Sequence, residues 1–383
     1  MIYLDNSATT RPFESVIEEM DRCMRETYYN VSAAYAPAML AEKEITRVRN
    51  RFLRSVGLPG GRAVMTGGGS ESDNLAIMGF AETLHALGTF LVSPMEHPAV
   101  LETLNRVRRM GHTVRFLPVG PDGRVNAQEA LKMVDQETVM MLCMHVNNET
   151  GAIQPLRELF RGAKAINPRI VTLSDGVQGY LRVPMNMQDT GTDMYAVSAH
   201  KIHGPKGVGA LAVRSEIRLV PQVTGGGQEA GLRSGTLNSP GIRGFGKAIE
   251  ECEQCHAAEQ LMGLKARLVK CLSGQEGIFF NGPDPLCAEM SAPHILSVRF
   301  EGVRGEVMRN ALEARNVLVS TGSACGSHKQ KVSSALRAMG LSTEQADGTI
   351  RVSIGLMNTP EEMEQAAESM IEQAKLLRQF RRR

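Results

Sequence analysis

An α/β fold built on a mostly parallel sheet covered by helices is predicted by three observations. Short apolar runs alternate with helical stretches through the first two thirds of the chain, the pattern produced by strands joined through crossover helices. The 383 residues exceed one ordinary domain, which favours one large and one smaller unit. Near residue 240 the alternation gives way to a long helical stretch that leaves the sheet.

The strand candidates, in order, are residues 90–93, 113–117, 139–145, 170–174, 194–198 and 208–213, each a short run dominated by apolar side chains. Helical candidates lie between them at 71–87, 99–110 and 155–166, and residues 240–272 read as one helix. Beyond it come a strand at 295–300, a helix at 306–315, a strand at 349–354 and a closing helix at 361–377. These make a smaller α+β domain that the N-terminal segment joins. The expected division is 13–255 for the large domain, and 1–12 with 256–383 for the small one.

Composition narrows the function classes. Hydrophobic residues at 42% and charged residues at 22% are an ordinary globular balance. A net charge of +2 gives no case for nucleic acid or an acidic membrane surface, and Arg381-Arg382-Arg383 reads as a solvated tail. No segment reaches the ~20 apolar residues of a membrane span. Seven scattered cysteines, an odd number, point to free thiols in a reducing compartment, and the opening Met1-Ile2-Tyr3-Leu4-Asp5 has no leader character. The expectation is a cytoplasmic protein, with no metal site among its candidate residues.

The chemistry concentrates at Ser198-Ala199-His200-Lys201, just past a strand. A lysine beside a hydroxyl and an imidazole suits a pyridoxal phosphate site, with Lys201 forming the Schiff base and Ser198 and His200 facing the phosphate. Asp175 lies 26 residues upstream at the end of another strand, where a carboxylate can hold a pyridine nitrogen protonated and make the ring an electron sink. In Thr66-Gly67-Gly68-Gly69-Ser70-Glu71, glycines permit close backbone approach, and a helix starting at Ser70 or Glu71 offers free N–H groups to a phosphate. A plain glycine turn capped by serine is the alternative for that string alone. His97 could stack on a ring and shuttle a proton. His97, Asn148, Asp175, Gln178 and Lys201 all follow predicted strands, the edge of an open α/β sheet where ligands sit. Cys325 stands in a Gly/Ser-rich string with His328, Lys329 and Lys331 close by, and nearby positive charge favours the nucleophilic thiolate.

Two strings imitate other sites. Gly241 to Ala248 approaches a phosphate-binding loop but ends in Ala248, lacks the metal-binding hydroxyl and has no strand before it. Cys252-Glu253-Gln254-Cys255-His256 matches a haem-attachment string but lies in an acidic helical stretch without an export signal, and reads as a helix with two thiols.

Together these strings resemble the class V aminotransferase family and, within it, the cysteine desulfurases of the NifS/IscS type. The resemblance runs from Tyr3-Leu4-Asp5-Asn6-Ser7-Ala8-Thr9-Thr10 through the glycine turn, Glu96-His97, Asn147-Asn148-Glu149, Asp175 and Gln178. It continues with Ser198 to Gly207, Gly225 to Glu229, Arg233 to Thr236, Gly322 to Cys325 and Arg351 to Gly355. It implies a fold-type-I homodimer that uses pyridoxal 5'-phosphate. Lys201 would be the Schiff-base lysine, Asp175 the partner of the pyridine nitrogen, Gln178 a contact of the ring hydroxyl and His97 the stacking group. Gly69, Ser70, Ser198 and His200 would hold the phosphate, with Thr236 arriving from a second subunit. Asn148 and Arg351 would bind the carboxylate of L-cysteine, Asn148 lying also against the cofactor. Cys325 would carry sulfur as a persulfide, leaving alanine, and pass it to an acceptor such as an iron–sulfur scaffold or a thiolation enzyme. The sequence departs from the family pattern at 30–35 and 330–333, at Ala230 and at Leu356. A selenocysteine lyase, an aminotransferase or a lyase of the same family shares most of these residues. A non-catalytic sulfur-assembly partner is the reading from another class.

Overall fold

A computed structural model describes residues 1–321 and 333–380. Cys325, the rest of 322–332 and the terminal Arg381-Arg382-Arg383 lie outside the described residues. The strands are β1 (Ile2–Tyr3), β2 (Arg62–Thr66), β3 (Thr89–Val92), β4 (Thr113–Phe116), β5 (Thr138–Leu142), β6 (Val171–Asp175), β7 (Met194–Ser198), β8 (Gly209–Val213), β9 (Ile278–Asn281), β10 (Ile295–Phe300), β11 (Val317–Leu318) and β12 (Thr349–Ser353). The helices are α1 (Glu14–Glu26), α2 (Ala36–Ser55), α3 (Gly69–Ala81), α4 (Pro98–Arg109), α5 (Ala127–Leu131), α6 (Leu156–Ile166), α7 (Met187–Thr190), α8 (Ser239–Gln254), α9 (Ala257–Leu272), α10 (Gly305–Glu313), α11 (Ser334–Ala338), α12 (Thr343–Asp347) and α13 (Pro360–Arg378).

Among the described residues the main sheet has seven strands in the order β2-β8-β7-β6-β5-β3-β4. The run from β7 to β4 is parallel, and β8 is antiparallel to both its neighbours. In β7 the two faces bury alternate residues: Met194 and Ala196 join the core under α3 and α4, while Tyr195 and Val197 join the one under α2 and α8. Both faces are covered, so the strand reads as a continuous apolar run rather than an alternating one. The antiparallel turn from β7 to β8 needs no crossover helix. It keeps residues 199–208, Lys201 among them, at the C-terminal edge of the parallel strands.

A second sheet, β12-β10-β9, is antiparallel, and β1 pairs with β11 beside it. Its core joins Ile2 and Leu4 to side chains of α9, β10, β12 and α13. The first residues of the chain therefore lie in the core of the C-terminal region. Helix α13 starts at Thr359 with a reciprocal capping box to Glu362 and Pro360 in its first turn, so its entry is locally encoded.

The stretch 240–272 is two helices rather than one. Its break falls at Cys255–His256, where His256 takes φ 47° and ψ 47°. No glycine or proline marks this left-handed turn, so helix propensity runs through it. The helix expected over 71–87 ends at Ala81, where Thr83 N–H turns back to Phe80 O at 2.9 Å. It begins at Gly69, one residue before Ser70, with Gly68 as the capping residue. The false phosphate-loop string lies in α8. A Cβ on Gly246 would lie 2.4 Å from Val48 Cγ2, and one on Gly244 would lie 2.8 Å from Met20 Cγ. These glycines let α8 pack closely on α1 and α2.

Candidate cofactor site

The parallel strands deliver their C-terminal ends to one edge, and the predicted residues gather there. Asp175 closes β6, and Ser198 closes β7. Lys201 ends the short 3₁₀ turn that follows β7. His97 caps α4 beyond β3, its Nδ1 accepting the N–H of Ala99 at 3.1 Å.

The N-terminal segment crosses this edge. Lys201 Nζ donates to Ala8 O at 2.9 Å and also to Ser7 O. Gln178 Nε2 donates to the same Ser7 carbonyl at 2.9 Å. His200 Nδ1 lies 3.1 Å from Thr9 Oγ1, and Thr10 Oγ1 donates to His200 O at 3.0 Å. Arg182 donates to the carbonyl of Lys201 and, at 3.3 Å, to Gln178 Oε1, which His294 also approaches. Ser7, Thr9, Thr10, Arg182 and His294 had no assigned role in the sequence reading.

Electrostatics tie the central groups together. Burial raises the Asp175 carboxyl, and His97, the Val177 N–H at 2.8 Å and Lys201 pull it back. Burial holds His97 below the ordinary imidazole range, with Lys201 acting in the same direction and Asp175 opposing. Asp175 and His97 therefore each respond to the other and to Lys201.

The glycine turn fits the same centre. Gly68 has φ 154°. A Cβ on Gly69 would lie 2.6 Å from Val177 Cγ2 and 3.7 Å from Ser198 Cβ, and one on Gly68 would lie 3.9 Å from Ser198 Oγ. The turn is thus pressed between the Asp175–Gln178 turn and Ser198, at the positive end of α3. An amine, a buried carboxyl and a glycine cradle at a helix N-terminus are the donor set a pyridoxal phosphate needs. The residues present fit that group.

The chain matches the family profile described as aminotransferase class-V over residues 2–366. It belongs to the aminotransferase class-V family. Curated relatives of this class-V protein include a cysteine desulfurase IscS of Anaeromyxobacter sp. (strain Fw109-5), 38% identical over 99% of this chain and 94% of the relative. Another, from Dictyoglomus turgidum, is 34% identical over 94% and 91%. Among solved structures, a NifS-like protein superposes with a TM-score of 0.90 at 34% identity, covering 98% of this chain and 100% of that one. The structure titled SspA in complex with cysteine gives a TM-score of 0.82 at 31% identity, covering 92% and 99%.

In this class-V chain Arg351 reaches the backbone of Asn148. Arg351 is buried on β12; its Nη1 donates to Asn148 O at 3.0 Å, its Nη2 pairs with Asp5 Oδ1 at 2.8 Å, and its Nε has no partner among the described residues. Asp5 was not foreseen as its counter-ion. Glu149 lies beside them; burial raises its carboxyl, while a bond from Ser333 and the charge of Arg351 lower it. Ser70 and Thr236 are exposed. Thr236 follows Arg233, which pairs with Glu71 of α3 at 2.8 Å. Cys325 is outside the described residues. Among the described residues no helix is long and apolar enough to cross a membrane.

Two further carboxyls lie within electrostatic reach of Asp175. Asp73 and Glu96 are buried, and burial first, then the charge of Asp175, drives both well above the usual carboxylate range. Glu96 accepts the N–H of Met144 at 2.5 Å, whereas Asp73 Oδ1 has no partner among the described residues. A folded-state carboxyl raised above its unfolded value of 3.8 contributes stability below that value and loses it as pH rises toward the folded pKa. Asp73→Asn cannot lose that proton. The variant is expected to gain on the wild type as pH rises from about 4.5 to about 7.5, read by urea unfolding at both values. A difference that does not change with pH would refute the assignment.

Proposed function

We propose that this protein is a cytoplasmic, homodimeric cysteine desulfurase that converts L-cysteine to L-alanine and passes the sulfur to Cys325 as a persulfide. The observation that carries the reading is the meeting of Lys201, Asp175, His97 and the glycine turn at one sheet edge, with Arg351 and Asn148 adjoining. Relatives named cysteine desulfurase cover nearly the whole chain.

Bound at this edge, pyridoxal 5'-phosphate would supply an electron sink for the pair left when the substrate Cα loses its proton. Lys201 would hold the cofactor covalently and, once displaced by the substrate amine, take that proton. Asp175 would keep the ring nitrogen protonated, Gln178 would contact the ring hydroxyl and His97 would stack on the ring. Gly69, Ser70, Ser198 and His200 would hold the phosphate with Thr236 of a second subunit. Arg351 would exchange its Asp5 contact for the substrate carboxylate, a two-pronged charge-assisted contact, with Asn148 beside it. The Cys325 thiolate would attack the substrate sulfur as its bond to carbon breaks. An iron–sulfur scaffold or a thiolation enzyme would then accept the sulfur. Met24, Tyr28, Tyr35, Met39 and Leu40 are exposed large hydrophobics close together in sequence and support burial against a second copy. Separate cores for the main sheet and for residues around Leu4, Leu264 and Met370 support the division into 13–255 and 1–12 with 256–383.

The test is the release of alanine and sulfide from L-cysteine in the presence of a thiol reductant. Equal amounts are expected from the cofactor-loaded wild type, with little sulfide from Cys325→Ser. Absence of sulfide from wild type that retains cofactor would refute the desulfurase reading.

A further inference from the structure

Cys252 lies in the last turn of α8 and Cys255 caps its C-terminus, and the cofactor site uses neither. Cys255 is exposed, while Cys252 is buried. Cys252 Sγ donates to the carbonyl of Ile202 at 3.6 Å, and Ile202 directly follows Lys201. Cys255 Sγ lies 3.7 Å from Cys252 O. A groove of about 280 Å³ is lined by Cys252 together with Arg182, Glu253 and His256. Arg182 is the residue that holds the Lys201 carbonyl. The next residue along, His256, is the left-handed joint between α8 and α9.

We propose that Cys252 and Cys255 form a reversible disulfide whose closure loosens the Lys201 loop. Cys255 thiolate attacks one sulfur of a small disulfide such as oxidised glutathione and expels one thiolate, leaving a mixed disulfide. Cys252 thiolate then attacks Cys255 Sγ and expels the second. Two protein thiols are oxidised, the small disulfide is reduced to two thiols, and the protons of Cys252 and Cys255 go to the leaving thiolates. Residues three apart on a helix have Cβ atoms about 5–6 Å apart, and a disulfide brings them to about 3.8 Å. Closure therefore draws in the last turn of α8 and takes Cys252 Sγ off the Ile202 carbonyl. The backbone at His256 is the place that absorbs the shift, because α9 is anchored separately through Leu264 and Leu268 in the other core. Burial pushes the Cys252 thiol up to about 12 and raises that of Cys255, so exchange is slow at neutral pH and quickens as pH rises.

The proposal does not require the desulfurase reading, and its test does not read activity. Full-length protein is equilibrated with oxidised and reduced glutathione at graded ratios, alkylated and digested. The peptide holding both cysteines is expected to lose two hydrogens and take no alkyl group. In Cys252→Ser the exposed Cys255 is expected to carry glutathione instead, and in Cys255→Ser the buried Cys252 is expected to stay unmodified. Amide exchange in the segment just after Lys201 is expected to rise about tenfold on oxidation of the wild type and not of either variant. A peptide that stays doubly alkylated at oxidising ratios, or a disulfide that leaves exchange beside Lys201 unchanged, would overturn the proposal.

Discussion

Lys201→Ala is expected to leave a folded protein that turns over L-cysteine at least about 10³-fold more slowly, since the residue is assigned both the covalent hold on the cofactor and the proton transfer. Folding survives because the loop has other anchors: Arg182 holds the Lys201 carbonyl, Thr10 N–H donates to His200 O at 2.9 Å, and Ala199 N–H donates to Val208 O at 3.0 Å. What the substitution removes is the amine, together with its bonds to Ser7 and Ala8. Borohydride treatment of cofactor-loaded wild type is expected to fix the cofactor to the peptide containing Lys201, and mass spectrometry of the variant should show no such adduct. Lys201→Arg keeps a cation near Asp175 and His97 yet cannot form that bond. It should behave like the alanine variant in turnover while restoring the electrostatic influence on His97. An alanine variant within tenfold of wild-type turnover would mean that another amine does this chemistry.

How far the sequence could have shown this centre depends on what makes each contact. The parallel strands are legible because both faces of β7 are buried, which writes an unbroken apolar run into the chain. Groups at their ends are legible for the same reason: a lysine, a carboxylate and an imidazole stand where apolar runs stop. The embrace of Lys201 by the N-terminal segment is not legible, because the acceptors are backbone carbonyls of Ser7 and Ala8, nearly two hundred positions away. Any residue at those positions presents the same atom. Asp5 is hidden differently. Its carboxylate reaches Arg351 only because β1 docks against β11 and the bridge Asp5–Ser353 lays it along β12. The break at His256 escaped because a non-glycine residue took the left-handed turn that usually announces itself with glycine. These three misses are long-range or backbone effects, and each lies where the N-terminal segment or the α8–α9 joint links the two cores.

That close backbone fit makes Gly209→Ala the second large effect. Gly209 opens β8 directly across from Ser198 and Thr66. A Cβ there would lie 2.6 Å from Gly68 C, 2.7 Å from Gly68 Cα and 2.7 Å from Val197 O, all of them backbone atoms. No side-chain rotation relieves such a contact, so either the glycine turn lifts or β8 parts from β7. Overpacking of this kind is expected to cost about 3 kcal/mol or more. The loss should fall most heavily on the cofactor, because Gly68 and Gly69 are the cradle being displaced. Equilibrium dialysis of pyridoxal phosphate is expected to show at least about tenfold weaker retention, which is ~1.4 kcal/mol, alongside lowered urea resistance. Gly263→Ala supplies the contrast. That glycine is exposed within α9 and has nothing within 4 Å of its added Cβ, so the change should stabilise the protein by about 0.5–1 kcal/mol. If Gly209→Ala unfolds the sheet without preferentially releasing cofactor, β8 has yielded and the turn has not. If it does neither, the turn is not held by the approach of Gly68 to Gly209, and the anion cradle must be formed elsewhere on α3.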